Sequence, residues 1–247
     1  MSQENILVID NVTKRFGGLR ALNKVSVNVR KGEILGLIGP NGSGKTTLFN
    51  VISGFYHPEE GSVNLRGEDI TDLKPHQIAR KGIGRTFQIV RPFGDMSVLD
   101  NVLVSGLFSV PRGGKTEKVQ DRCRRILEIA DLTEKINVPA DGLSIAEKRR
   151  LEIARALALD PQILLLDETM AGLTHHEVDH ALGITSKIRK EFGLTIIFVE
   201  HVMRAIMAIS ERIVVLSEGA KIAEGSPKEV SENEQVLTAY LGQRGKK

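Results

Sequence analysis

The sequence predicts an α/β protein with a mostly parallel sheet, a small antiparallel β region and an inserted helical segment. Three observations carry that expectation. Residues 33–39 (EILGLIG), 163–168 (ILLLDE), 195–201 (TIIFVEH) and 212–219 (RIVVLSEG) are nearly solid apolar runs, the pattern of strands buried on both faces. Residues 25–30 (VSVNVR) and 62–67 (SVNLRG) instead alternate apolar and polar, the period of a half-exposed strand. Helical periods separate the later apolar runs.

In chain order, the antiparallel region comes first, then the strand at 33–39 and a helix at 45–53. A mostly helical stretch follows. Within 116–130 (TEKVQDRCRRILEIA), Val119, Cys123, Ile126, Leu127 and Ala130 fall on one stripe, the mark of a helix with one buried face. Helices at 145–159 and 177–190 then alternate with the remaining strands. This divides the chain into an α/β core with its antiparallel region, 1–88 and 161–247, and an inserted helical lobe, 89–160. PRGGK at 111–115 joins two glycines to charge without an apolar anchor and is expected to be a mobile loop. No internal repeat or low-complexity segment is present.

Composition sets limits. A chain of 247 residues, 41% hydrophobic and 26% charged, suits one large soluble domain with one inserted lobe. The net charge of +3 is mildly basic, and clusters such as 122–125 (RCRR) and 148–150 (KRR) are usually solvated helix faces and less often contacts to acidic lipid or nucleic acid. Cys123 is the only cysteine, which excludes an internal disulfide and favours a reducing compartment. The N-terminus lacks the basic start and apolar core of a secretory signal. The longest mostly apolar window, 102–110, falls far short of the roughly 20 residues that span a bilayer. The chain is expected to sit on a membrane without crossing it.

The chemistry starts at Gly39, Pro40, Asn41, Gly42, Ser43, Gly44, Lys45, Thr46 and Thr47 (GPNGSGKTT), directly after an apolar strand. Gly, four residues, Gly, Lys, then Ser or Thr is the phosphate-loop pattern. The glycines let the backbone wrap phosphates, and the following helix points its positive end at them. Lys45 is expected to reach the β- and γ-phosphates and Thr46 to ligate magnesium. Asp167 and Glu168 end a buried strand; adjacent acids there point to different sides and can take two jobs. Asp167 is expected to hold hydrated magnesium, and Glu168 to stand where water attacks the γ-phosphate. His201 ends another apolar strand, and strands of a parallel sheet present their ends along one ligand-binding edge. Gln88, before the helical stretch, carries an amide able to touch magnesium or water. Phe16, by itself, reads as core as readily as a base-stacking ring.

Together these residues resemble the ATP-binding subunits of ABC transporters across essentially the whole chain. On that resemblance GPNGSGKTT is the Walker A motif, ILLLDE is Walker B with the catalytic glutamate, Gln88 is the Q-loop residue and His201 the switch histidine. Phe16 stands where the family stacks an aromatic ring on adenine. RFGGLRAL, GIGRTFQ and the AGL after the Walker B acids are similar to the branched-chain amino acid importer branch.

Two segments depart from the family. Where its signature is usually Leu-Ser-Gly-Gly-Gln, this chain has LSIAE, 143–147. Leu143 and Ser144 match; Ile145, Ala146 and Glu147 do not. The family uses this segment in trans, closing Ser144 over the ATP of a second subunit. Physically, SIAE is a capping box, so the helix N-terminus and its partial positive charge are expected to survive, while glycine's freedom of approach is lost. After Walker B, TMAGLT replaces the usual aspartate-containing stretch, and Thr174 opens a second capping box, THHE. His175 and His176 diverge on a helix and lack a third ligand, so they read as surface residues.

The resemblance implies an ATP-hydrolysing subunit that powers uptake of a small polar solute such as branched-chain amino acids, with ATP and Mg2+ as cofactors. It implies membrane-spanning permease partners, a second ATP-binding subunit set head to tail as homodimer or heterodimer, an extracytoplasmic solute-binding protein, and no nucleic acid. It places the protein peripherally on the cytoplasmic face of the inner membrane. A soluble or regulatory ATPase with hydrolysis weakened by LSIAE is the alternative.

Overall fold

The computed structural model describes residues 4–88, 90–109 and 118–241; the loop expected at 111–115 lies outside them. The chain begins with β1 (Asn5–Phe16), β2 (Leu19–Arg30), β3 (Ile34–Ile38), α1 (Lys45–Ile52), β4 (Glu60–Leu65) and β5 (Glu68–Asp69). It continues through α2 (Pro75–Lys81), β6 (Ile83–Arg85), α3 (Val98–Leu107), α4 (Val119–Ile129), α5 (Ile145–Ala158), β7 (Ile163–Asp167), α6 (His175–Phe192) and β8 (Thr195–Val199). It ends with α7 (Met203–Ile209), β9 (Arg212–Ser217), β10 (Ala220–Gly225), α8 (Pro227–Ser231) and α9 (Glu234–Leu241). These elements form two compact units, Met1–Ile78 with Ile197–Lys247, and Ala79–Ile196.

In the first unit, β1 pairs antiparallel with β2 on one edge and β4 on the other, with β5 beyond β4. The register sets Ile9 opposite both Val27 and Val63. All three are buried, along with Leu7, Val12, Val25 and Leu65, because alternation along a strand sends every second residue to one face. A second sheet joins β3 to β9 in parallel, Leu35 to Arg212 through Ile38 to Val215, and β10 to β9 antiparallel. Every residue of β3 is buried, as its unbroken apolar run requires. Arg212 ties these strands together: its Nη2 lies 2.6 Å and its Nε 3.2 Å from the two oxygens of Glu33, and it also reaches Glu224 and the carbonyl of Asn28.

In the second unit, β6 and β7 pair in parallel from Ile83–Ile163 to Arg85–Leu165. Helices α3, α4 and α5 pack through Val98, Val102, Cys123, Ile126, Leu127, Leu151, Ala154 and Leu157, all buried. The stripe expected on α4 is therefore its core face. Gly106 of α3 sits so close that an added Cβ would lie 2.9 Å from the Cys123 sulfur. The helix expected at 145–159 is α5, started by Ser144. That expected at 177–190 is α6, which begins earlier at His175 because Thr174 is its N-cap, and ends at Gly193 in the left-handed conformation that glycine adopts freely. The helical stretch at 89–160 shares its unit with β6, β7 and α6.

Candidate nucleotide-binding and catalytic site

The phosphate loop lies in the first unit between β3 and α1. Its backbone turns through positive φ at Gly39 (155°), Gly42 (78°) and Gly44 (104°). At Gly39 the glycine is also required by space, since an added Cβ would run into the carbonyl oxygen of Leu216. At Gly42 nothing among the described residues lies within 4 Å of that position, so there it is the positive φ that favours glycine. Lys45 is 5% exposed, and its ammonium donates to the carbonyls of Gly39 at 2.7 Å and Pro40 at 3.0 Å. Ser43 Oγ is buried without a hydrogen-bond partner among the described residues. A buried cation resting on carbonyls beside an unsatisfied hydroxyl, at the head of a helix, fits a bound phosphate. Thr46 is exposed at the same helix start.

Phe16, at the end of β1, is 43% exposed and packs edge-on against Tyr56, ring centres 5.1 Å apart at 72°. Lys14 Nζ stands 5.5 Å from the Phe16 centroid. One ring edge is thus fixed while much of the ring stays open for stacking. His201 lies exposed just beyond β8, after buried Glu200.

Gln88, Ser144, Asp167 and Glu168 belong to the second unit. Asp167 is 2% exposed; Arg85 Nη2 lies 3.0 Å from its Oδ2, and its backbone N–H donates to Thr86 Oγ1 at 3.1 Å. The Arg85 guanidinium also covers the Phe87 ring at 5.2 Å. Glu168 has φ of 50°, left-handed for a residue with a Cβ and worth about 1–2 kcal/mol of strain. From that turn its Oε2 accepts a hydrogen bond from Gln88 Nε2 at 2.8 Å. The structure therefore brings the expected Q-loop amide and catalytic carboxylate into direct contact.

Ser144 caps α5 in a complete capping box: Glu147 N–H donates to Ser144 Oγ at 3.3 Å, and Ser144 N–H donates to Glu147 Oε2 at 2.8 Å. That N–H holds the Glu147 carboxyl below its ordinary value, against some burial. Ile145, where the family signature has glycine, is 69% exposed. Three residues near the site went unsingled by sequence reasoning: Arg85, Tyr56 and Glu152. The signal for Glu152 was a carboxylate set three residues after Arg149 and three before Arg155, flanked in sequence by the apolar Leu151 and Ile153. Among the described residues no three His, Cys, Asp or Glu side chains cluster as metal ligands. Magnesium held by one carboxylate, a hydroxyl and substrate phosphates needs no such cluster.

The first unit thus carries a glycine loop feeding a helix, and the second a buried aspartate followed by a glutamate beside a glutamine. The family profile described as ABC transporter matches residues 22–171, and that described as branched-chain amino acid ATP-binding cassette transporter matches 220–246. The high-affinity branched-chain amino acid transport ATP-binding protein BraF of Pseudomonas aeruginosa is 42% identical over 250 residues, covering 96% of this chain and 98% of that protein. The ADP conformation of MJ1267, an ATP-binding cassette of an ABC transporter, superposes with a TM-score of 0.87 at 32% identity, covering 97% of this chain and 100% of that one. The dimeric cassette MJ0796 bound to ADP and Pi gives 0.78 at 29%, covering 90% and 98%. The chain belongs to the ABC transporter ATP-binding family. It is an ATPase whose hydrolysis is coupled to transport.

Proposed function

We propose that this subunit powers uptake of branched-chain amino acids, working as one of two ATP-binding subunits beneath membrane permeases. The observation that carries the ATPase chemistry is the Gln88–Glu168 contact at 2.8 Å, one residue beyond the buried Asp167. The amino acid class rests on the full-length relative and on the C-terminal match at 220–246. These support the transport ATPase over the soluble or regulatory alternative.

Lys45 gives up the carbonyls of Gly39 and Pro40 to pair with the β- and γ-phosphates, and the N–H groups of Gly42 to Thr46 surround them. Thr46, Asp167 and Gln88 offer hard oxygen donors to Mg2+, which when bound neutralises charge on the phosphates. Glu168 orients and deprotonates the attacking water. His201 stabilises charge on the transferred group. Phe16 stacks on adenine with Tyr56 behind it. Ser144 and the N-terminus of α5 close over the nucleotide of the second subunit, as the dimeric MJ0796 cassette makes reasonable for this fold. Association with the membrane is peripheral, through the permeases; among the described residues no helix is long and apolar enough to cross. A solute-binding protein outside the membrane delivers the amino acid.

The test is reconstitution with branched-chain amino acid permeases of its own organism, ATP on the subunit's side and radiolabelled leucine with binding protein on the other. Wild type is expected to accumulate leucine with ATP consumed; Glu168→Gln is expected to bind ATP yet lose turnover by about 10²-fold or more. ATP-independent leucine entry, or full turnover by Glu168→Gln, would reject the reading.

A further inference from the structure

Gln88 stands on an exposed, irregular segment, yet its backbone is gripped from α5. The Phe87 N–H donates to Glu152 Oε1 at 2.6 Å. Arg149 Nη1 donates to the Gln88 carbonyl at 2.8 Å, with the Phe87 carbonyl at 3.5 Å. Glu152 is 7% exposed, and its Oε2 has no hydrogen-bond partner among the described residues. Arg149 and Arg155, one turn to either side on α5, only partly offset the burial of this carboxylate, and an apolar side chain there would leave no oxygen unsatisfied. Among the described residues its one hydrogen-bond partner is the amide next to Gln88, with Arg149 and Arg155 close by as counter-charges.

We propose that Glu152 and Arg149 are positioning residues through which α5, whose N-cap is Ser144, sets where Gln88 stands against Glu168. Eight residues of helix separate Ser144 from Glu152, roughly 12 Å of rigid rod. A displacement of Ser144 by a second subunit's nucleotide is therefore delivered to the Phe87–Gln88 backbone, and on through the 2.8 Å side-chain contact to Glu168. The altered signature keeps its capping box, so the end of the rod that receives the push stays ordered. This rests on the ATPase reading above.

Two measurements test it: hydrogen exchange of the nucleotide-free chain, and ATP turnover with Kd in the assembled transporter. Glu152→Ala is expected to speed exchange of the Phe87 amide about tenfold and lower kcat about tenfold, the loss of one hydrogen bond, with ATP Kd changed less than about twofold. Glu152→Gln keeps an oxygen acceptor and is expected to restore both. In a Gln88→Ala background, adding Glu152→Ala is expected to lower kcat no further. If Glu152→Ala fails to fold, Arg149→Met carries the same kcat test from a half-buried position. Unchanged Phe87 exchange in Glu152→Ala, or a fully additive loss in the double variant, overturns the proposal. A wild-type transporter that hydrolyses no ATP sinks the ATPase reading instead, while Phe87 exchange still decides the grip.

Discussion

Arg85 and Asp167 form a buried ion pair, Nη2 to Oδ2 at 3.0 Å, with side chains only 8% and 3% exposed. Asp167 is thus held by a cation before any metal arrives, and removing that cation takes a counter-charge from a buried carboxylate. Arg85→Ala is expected to cost about 3–5 kcal/mol and lower the melting temperature by roughly 10 °C. Calorimetry checks this; a shift under about 2 °C would mean that Asp167 is neutralised from elsewhere.

The two glycines of the phosphate loop should respond differently to alanine. At Gly39 the new methyl meets the Leu216 carbonyl on β9, and rigid strand backbone cannot yield, so both stability and nucleotide affinity are expected to fall. At Gly42 the methyl meets open space and pays only for a positive φ, about 1 kcal/mol. Fluorescent-nucleotide titration and thermal melts should rank Gly39→Ala well below Gly42→Ala. Equal behaviour would show that conformation, not crowding, selects both glycines.

Glu152 makes stability depend on pH. Burial pushes its carboxyl up to about 7 from 4.5, against the Phe87 N–H and the nearby Arg149 and Arg155, with Asp167 pushing the same way as burial. Between those values the folded chain holds a proton that the unfolded chain has released. The contribution is therefore complete below pH 4.5 and is lost as pH rises through 7, by an amount on the order of 3 kcal/mol. Urea denaturation at pH 5 and pH 8 should show a larger loss for wild type than for Glu152→Gln, which cannot titrate. Parallel curves for the two proteins would exclude a raised Glu152.

Ser144 has a local role separable from any contact in trans. Ser144→Ala removes the cap of α5 and is expected to cost about 1 kcal/mol, near 3 °C in melting temperature. Ser144→Asp should restore the melt, since aspartate caps helices well, but not turnover, because it sets a negative charge toward phosphate. Recovery of both would place Ser144 outside the nucleotide site.

Elements whose information is local were legible in the sequence. The buried strands β3, β7, β8 and β9 follow from unbroken apolar runs, the phosphate loop from its spacing, and the boxes at Ser144 and Thr174 from four-residue patterns. A third box, Ser226 with Glu229 and Pro227 at the first position of α8, was equally local and was passed over. What could not be read depends on distant partners. Arg85 looks like any strand-end cation until β6 pairs with β7 and sets it on Asp167. Tyr56 meets Phe16 across forty residues of chain, and Glu152 gains meaning only where Phe87 arrives beside α5.

The tight meeting of Gly106 and Cys123 has a practical use. The lone sulfhydryl is wholly enclosed between two helices, so thiol reagents should pass over the native fold. Any single cysteine introduced on the surface then becomes a unique attachment point for a spin label or dye, and distances during turnover can be followed in an otherwise natural sequence.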